Sequence, residues 1–138
     1  MSILYDERVD GALPKVDKAA LLAELRQRLP DLDILHTQED LKPYECDGLS
    51  AYRTTPMLVV LPERIEQVQQ LLKLCHARGV PVVARGAGTG LSGGALPLEQ
   101  GILLVMARFN KILEVDPAGR FARVQPGVRN LAISQAAA

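Results

Sequence analysis

Residues 86 to 94 hold five of the chain's eleven glycines, in the run Arg85-Gly86-Ala87-Gly88-Thr89-Gly90-Leu91-Ser92-Gly93-Gly94, directly after the apolar stretch Pro81-Val82-Val83-Ala84. Such a run disfavours both helix and strand, because each glycine gives up more backbone entropy on ordering than another residue would. A loop bearing that cost is expected to gain from a bare main chain. Without Cβ the backbone admits positive φ and lets another molecule come close, and successive N–H groups then form a concave nest that holds a phosphate or pyrophosphate. Arg85 puts a fixed positive charge at the mouth of this loop, and Thr89 and Ser92 add hydroxyl donors.

The rest of the composition narrows what the loop can serve. With 138 residues, 48% of them hydrophobic and 23% charged, the chain is long enough for one domain with a real core. Sixteen basic and sixteen acidic residues cancel, and the arginines are scattered, so the electrostatic footprint of a nucleic-acid binder is missing. Cys46 and Cys75 stand alone, without the Cys-x-x-Cys spacing of a metal or redox site, and read as reduced thiols of a cytoplasmic protein. Acidic residues by position 6 speak against a signal peptide, and no apolar run approaches the roughly 20 residues that span a bilayer.

Periodicity places the loop among its neighbours. Asp17 is positioned to cap a helix carrying Leu21, Leu22, Leu25 and Leu29 and ended by Pro30. Residues 32–36 suit a short strand, whereas residues 38–55 are polar and give no firm pattern. Met57 to Leu61, bounded by Pro56 and Pro62, reads as a strand buried on both faces and paired in parallel. From Glu63, apolar residues at 65, 68, 71, 72 and 75 recur at helical spacing, with Glu63 and Glu66 in the first turn and Gly79 past the end. This predicts a right-handed strand–helix–strand unit that runs into the glycines. Gly101 to Met106 is strand-like, and residues 112–115 and 121–125 flank the turn Asp116-Pro117-Ala118-Gly119-Arg120, which predicts an antiparallel hairpin. Pro126-Gly127 breaks the last strand, and Val128 to Ala138 begins a helix.

Spacing separates the possible glycine-loop chemistries. The Walker pattern fits Gly88 to Gly93 but then needs Lys and Ser/Thr where Gly94 and Ala95 stand. A dinucleotide fingerprint is literally present at Gly88-x-Gly90-x-x-Gly93, yet it must open a crossover helix, and residues 95–100 with Pro97 leave no room for one. What remains is a loop binding by its own amides, leading from a parallel unit into an antiparallel sheet.

The run Pro81-x-x-x-Arg85-Gly86-x-Gly88-Thr89-x-Leu91-x-Gly93-Gly94, followed by the strand ending Val124-Gln125-Pro126-Gly127-Val128, resembles the flavin-binding domain of the vanillyl-alcohol oxidase and p-cresol methylhydroxylase superfamily. Within it, Tyr44-Glu45-Cys46-Asp47-Gly48-Leu49-Ser50-Ala51-Tyr52-Arg53 and the stretch Gly86 to Pro97 are most similar to the flavin subunits of bacterial glycolate oxidases, with D-lactate dehydrogenases as near relatives. The resemblance implies an α+β fold of two subdomains, a parallel βαβ unit followed by an antiparallel sheet, with FAD in the cleft between them. It implies that Arg85, Gly86, Ala87, Gly88, Thr89, Gly90, Ser92, Gly93 and Gly94 form the pyrophosphate loop, and that Pro126 and Gly127 form a second cofactor-lining turn. Neither His36 nor His76 lies in the loop, so non-covalent FAD is expected.

By the same resemblance, residues 1–37 form an N-terminal helical segment and 38–138 an incomplete FAD-binding domain, cut within its second half, with the substrate domain absent. No catalytic or metal-binding residue is assigned, and the isolated fragment is expected to be inactive and to retain FAD weakly or not at all. The parent reaction would be oxidation of a 2-hydroxy acid such as glycolate or D-lactate by hydride transfer to flavin. Its partners would be further oxidase subunits, one with iron–sulfur clusters, in the cytoplasm or peripherally at the inner face of the membrane. Two alternatives stay open: a non-catalytic phosphate-binding or assembly module, and a flavoenzyme of the superfamily with another substrate. Plainer readings also stand, with Arg85 a surface arginine, Pro126-Gly127 a strand terminator, and Asp31, Asp33, Glu39 and Asp40 solvated loop charges.

Overall fold

The computed structural model describes residues 15–138; the reading of the first residues as free of a signal peptide falls largely on positions 1–14, outside the described residues. The element order is α1 (Lys18–Arg28), β1 (Asp33–Leu35), α2 (Gln38–Leu41), a 3₁₀ turn (Lys42–Tyr44), β2 (Leu58–Leu61), α3 (Ile65–Arg78), β3 (Val82–Arg85), β4 (Ile102–Val105), β5 (Ile112–Asp116), β6 (Phe121–Val124) and α4 (Asn130–Ala136).

The α1 helix starts where its cap predicts. The Asp17 carboxylate accepts from the N–H groups of Ala19 and Ala20, satisfying donors that have no partner within the helix. Leu21, Leu25 and Leu29 then lie on one buried stripe. The polar stretch after β1, where periodicity is silent, folds into α2 because Thr37 accepts from the Asp40 N–H, and this turn drives Leu41 into the core. Four residues are too few to show a repeat, which is why the pattern gave no warning.

Four strands form one sheet in the order β1-β2-β4-β3. β1 pairs antiparallel with β2, and β2 and β3 each pair in parallel with β4. The Gly101–Met106 run therefore joins the parallel sheet, between the two strands expected to be neighbours, and does not open the antiparallel one. The strand–helix–strand unit is split by β4. Apolar composition explains the insertion: all four residues of β4 are buried, and a strand apolar on both sides belongs in the middle of a covered sheet. Helix-side residues Leu58, Val60, Ile102 and Leu104 pack with α1 and α3, while Val59, Leu103 and Val105 face Leu41, Tyr44 and Val83 on the other side.

Helix α3 buries a face that keeps Val68, Leu71 and Cys75 of the expected apolar positions but is turned away from Ile65 and Leu72. Ile65 and Leu72 are exposed, whereas Leu71, Leu74, Cys75 and Gln67 are buried. Gln67 is tolerated inside because its side chain is saturated: Oε1 accepts from the N–H groups of Glu63 and Arg64, and Nε2 donates to the Asp31 carbonyl. Glu63 precedes the helix and pairs with Arg108, which also holds Asp33, so these carboxylates tie the sheet's edge to the segment after β4. The helix ends at Gly79 in the left-handed region, φ 65°, as the glycine stop predicts. The hairpin β5–β6 forms a separate two-stranded antiparallel sheet, as expected.

Candidate functional site

Parallel pairing of β3 with β4 fixes what residues 86–101 must do. The chain leaves β3 at its C-terminal end and must return to the N-terminal end of β4. Proteins usually make that return with a helix; here the glycine loop makes it without one.

The loop's base is built by contact with the second turn. A Cβ on Gly86 would overlap the Pro126 carbonyl oxygen, and one on Gly127 would lie 2.5 Å from the Met106 oxygen and 2.9 Å from the Ala107 Cα. Met106 donates its N–H to the Arg85 carbonyl at 2.7 Å, and Gly127 donates to the Phe109 carbonyl at 2.8 Å. The structure thus brings together the two segments that the sequence reading paired, with backbone against backbone. Beside this junction lies a cavity of about 350 Å³ whose lining includes Ala87, Gly127, Asn110 and Arg129.

The tip is different. Thr89, Gly90, Ser92 and Gly94 are exposed, and a Cβ on Gly90 or Gly94 would meet nothing within 4 Å among the described residues. Gly88 and Gly93 have φ of 74° and 77°, a region that L side chains enter only at a cost. Among the described residues, no N–H from Gly86 to Ala95 donates to a backbone carbonyl. A bare segment with unspent donors and open space above it fits a pyrophosphate, since a hydrogen bond to a charged group is worth about 1.5–3 kcal/mol. Open space and unspent N–H donors are what the close approach of such a group requires.

Arg85 is not the solvated surface arginine of the plainer reading. It is 6% exposed, at the end of β3 on the same face as Val83, and its Nη2 donates to the Ala95 carbonyl at 2.8 Å, across the loop's base. Burial pulls the guanidinium below its ordinary value, and the negative charge of Asp47 is the foremost influence opposing that shift. Asp47, itself buried, accepts from the Leu49 N–H through Oδ1. Its neighbour Gly48 stands under the tip, where a Cβ would be 2.7 Å from the Gly90 oxygen and 2.8 Å from the Thr89 oxygen. Residue periodicity could not find Asp47 and Gly48; the Asp-Gly pair in the stretch Tyr44 to Arg53 was the one available signal.

The remaining candidates are peripheral. His36 lies beside α1, its carbonyl accepting from Lys18, and His76 sits exposed on α3. Cys75 is buried and its thiol is pushed up to about 11 by desolvation, so it stays protonated and inert near neutral pH. Both cysteines are free. Among the described residues there is no cluster of metal-ligating side chains and no helix long and apolar enough to cross a membrane.

Comparison with known proteins follows the same outline. Residues 56–138 match the family described as "FAD binding domain". The chain is 70% identical over 138 residues to glycolate oxidase subunit GlcD of Escherichia coli, covering all of this chain and 28% of that one. It is 39% identical over 88 residues to glycolate oxidase subunit GlcD of Bacillus subtilis, covering 64% of this chain and 19% of the relative. Among solved structures, p-cresol methylhydroxylase with substrate bound superimposes with a TM-score of 0.68 at 26% identity, over 86% of this chain and 24% of that one. The chain therefore spans between about a fifth and three tenths of the length of these proteins.

Proposed function

This chain belongs to the FAD-binding domain family, and from that membership we propose that it supplies the pyrophosphate-holding part of an oxidoreductase acting on a small 2-hydroxy acid, glycolate or D-lactate. The carrying observation is the loop itself: bare amides from Gly86 to Ala95 with no backbone acceptor, open space at Gly90 and Gly94, and a base locked onto Pro126.

FAD, when bound, supplies the acceptor for the hydride leaving the hydroxyl-bearing carbon. The chain's own residues bind and orient. Gly86, Ala87, Gly88, Thr89 and Gly90 offer N–H groups to the diphosphate, the Thr89 and Ser92 hydroxyls assist, and Gly93 and Gly94 leave room for close approach. Pro126 and Gly127 hold the opposite side of the junction, next to the cavity at Ala87 and Asn110. Attachment is non-covalent in this reading, since both histidines lie away from the loop. Residues 38–138 form the cofactor-binding unit, helix α1 of the N-terminal helical segment buttresses its sheet through Leu21 and Leu25, and the groups that bind substrate and move its proton lie in sequence that the longer relatives possess. Electrons pass to partner subunits, one of them an iron–sulfur protein, in the cytoplasm or at the inner face of the membrane.

The test is to purify the protein at its natural length with any co-purifying subunits, add FAD, and then add glycolate without oxygen. A flavin absorption band that bleaches on glycolate supports the proposal. A preparation that takes up no flavin rejects it, and one that takes up flavin but is bleached by neither glycolate nor D-lactate rejects the substrate assignment. The isolated chain is expected to bind FAD weakly and to oxidise neither acid.

A further inference from the structure

Two charged side chains, Asp47 and Arg85, are more than nine-tenths buried under the loop, and each keeps one polar atom without a partner among the described residues: Oδ2 of Asp47 and Nε of Arg85. They share no hydrogen bond or salt bridge, Asp47 bonding to the Leu49 N–H and Arg85 to the Ala95 carbonyl, so the Asp47 charge acts on Arg85 through space; buried charges of this kind persist when they compensate each other, because a lone one is heavily penalised. Their positions explain why they are retained. The Arg85 stem lies under Gly88, whose Cβ would be 3.2 Å from the Arg85 Cδ, and its guanidinium reaches across to the Ala95 carbonyl. Asp47 heads the turn whose Gly48 supports Thr89 and Gly90 from below. One side chain thus spans the loop from its first residue to its last, and the other anchors the segment on which the tip rests.

We propose that Asp47 and Arg85 form a buried charge clasp that sets the shape of the glycine loop before any ligand arrives, making Arg85 a positioning residue and not a contact for the anion. The consequence for flavin binding rests on the proposed function; the clasp does not. A loop held by its own floor spends less binding free energy on ordering when the diphosphate docks, which is the general advantage of preorganisation.

The cofactor-free full chain provides the test. Thermolysin cuts ahead of accessible leucines, and Leu91, 72% exposed at the tip, makes the Gly90–Leu91 bond a reporter of loop opening. Arg85→Met keeps the stem and removes the charge, and cleavage should quicken by about tenfold. Asp47→Asn should quicken it by about threefold. The double variant should be cut more slowly than Arg85→Met alone, because no isolated carboxylate remains beneath the loop. Arg85→Lys, which restores the charge without the fork that reaches Ala95, should fall between the parent and Arg85→Met. Unchanged cleavage of Arg85→Met, or independent multiplication of the two single effects, overturns the clasp. Should Arg85→Met fail to fold by far-UV circular dichroism, Asp47→Asn decides: faster cutting in a folded chain supports the clasp, and parental cutting overturns it. Since these rates are read without FAD, a protein that takes up no flavin at natural length would sink the proposed function and leave the clasp standing.

Discussion

The base and the tip of the glycine loop use the same residue for opposite ends. At the base, Gly86 and Gly127 lack Cβ because another stretch of backbone occupies the place where it would be. At the tip, Gly90 and Gly94 lack Cβ with none of the described residues within 4 Å of its place. The first arrangement is close packing and contributes to stability; the second leaves a surface free for an anion and costs entropy for no internal return. A glycine-rich motif is therefore two devices: at the base the missing Cβ makes room for protein backbone, and at the tip it leaves open space.

Four substitutions sharpen that contrast or break it. Gly86→Ala forces the loop's base away from Pro126, and about 3 kcal/mol of stability should be lost, lowering Tm by about 10 °C for a chain of this size. A melt equal to the parent's would show that the junction yields without cost. Gly88→Ala meets both a left-handed φ of 74° and the Arg85 stem, so a loss of about 2 kcal/mol is expected in denaturant titration, with no change in slope. Gly90→Ala should leave stability within about 0.5 kcal/mol while raising the Kd for FAD by about tenfold in a fluorescence titration; a stability loss with unaltered Kd would invert the division between base and tip. Ser92→Ala, removing one hydroxyl, should weaken FAD by about threefold and leave the melt unmoved.

Burial of Cys75 adds a dependence on pH that belongs to the packed half alone. Its thiol, pushed up to about 11 in the fold, loses its proton near 8.5 when the chain is unfolded. The folded state therefore holds the proton longer, and the stability it contributes is complete below pH 8.5 and declines from there to about 11. Cys75→Ala should flatten that decline in Tm against pH relative to the parent, whatever its effect on the baseline.

Much of this architecture was legible because its signals are local. The Asp17 cap, the Leu21-Leu25-Leu29 stripe, the Gly79 stop and the turn at Asp116 each act over a few residues, and each stands where its chemistry placed it. The pairing of strands was not legible in the same way. Nothing within Ile102-Leu103-Leu104-Val105 says whether it lies beside β2, beside β3 or between them. Arg85 illustrates the same limit at the site: its charge suggested an anion contact or a solvated surface, and its buried place under Gly88 follows from the strand face it occupies.

The amino-acid order by itself determined that a glycine-rich loop with no crossover helix follows a strand, because glycine spacing, flanking apolar runs and the missing Walker lysine are facts of composition and separation along the chain. Tertiary structure alone decided which glycines close against protein and which stay open, that β4 splits the parallel pair, and that Asp47 and Arg85, 38 positions apart, are both buried beneath the loop. The reason is physical: conformational preference is set by a residue and its immediate neighbours, whereas steric exclusion and the cost of a buried charge depend on atoms that only folding brings within a few ångströms.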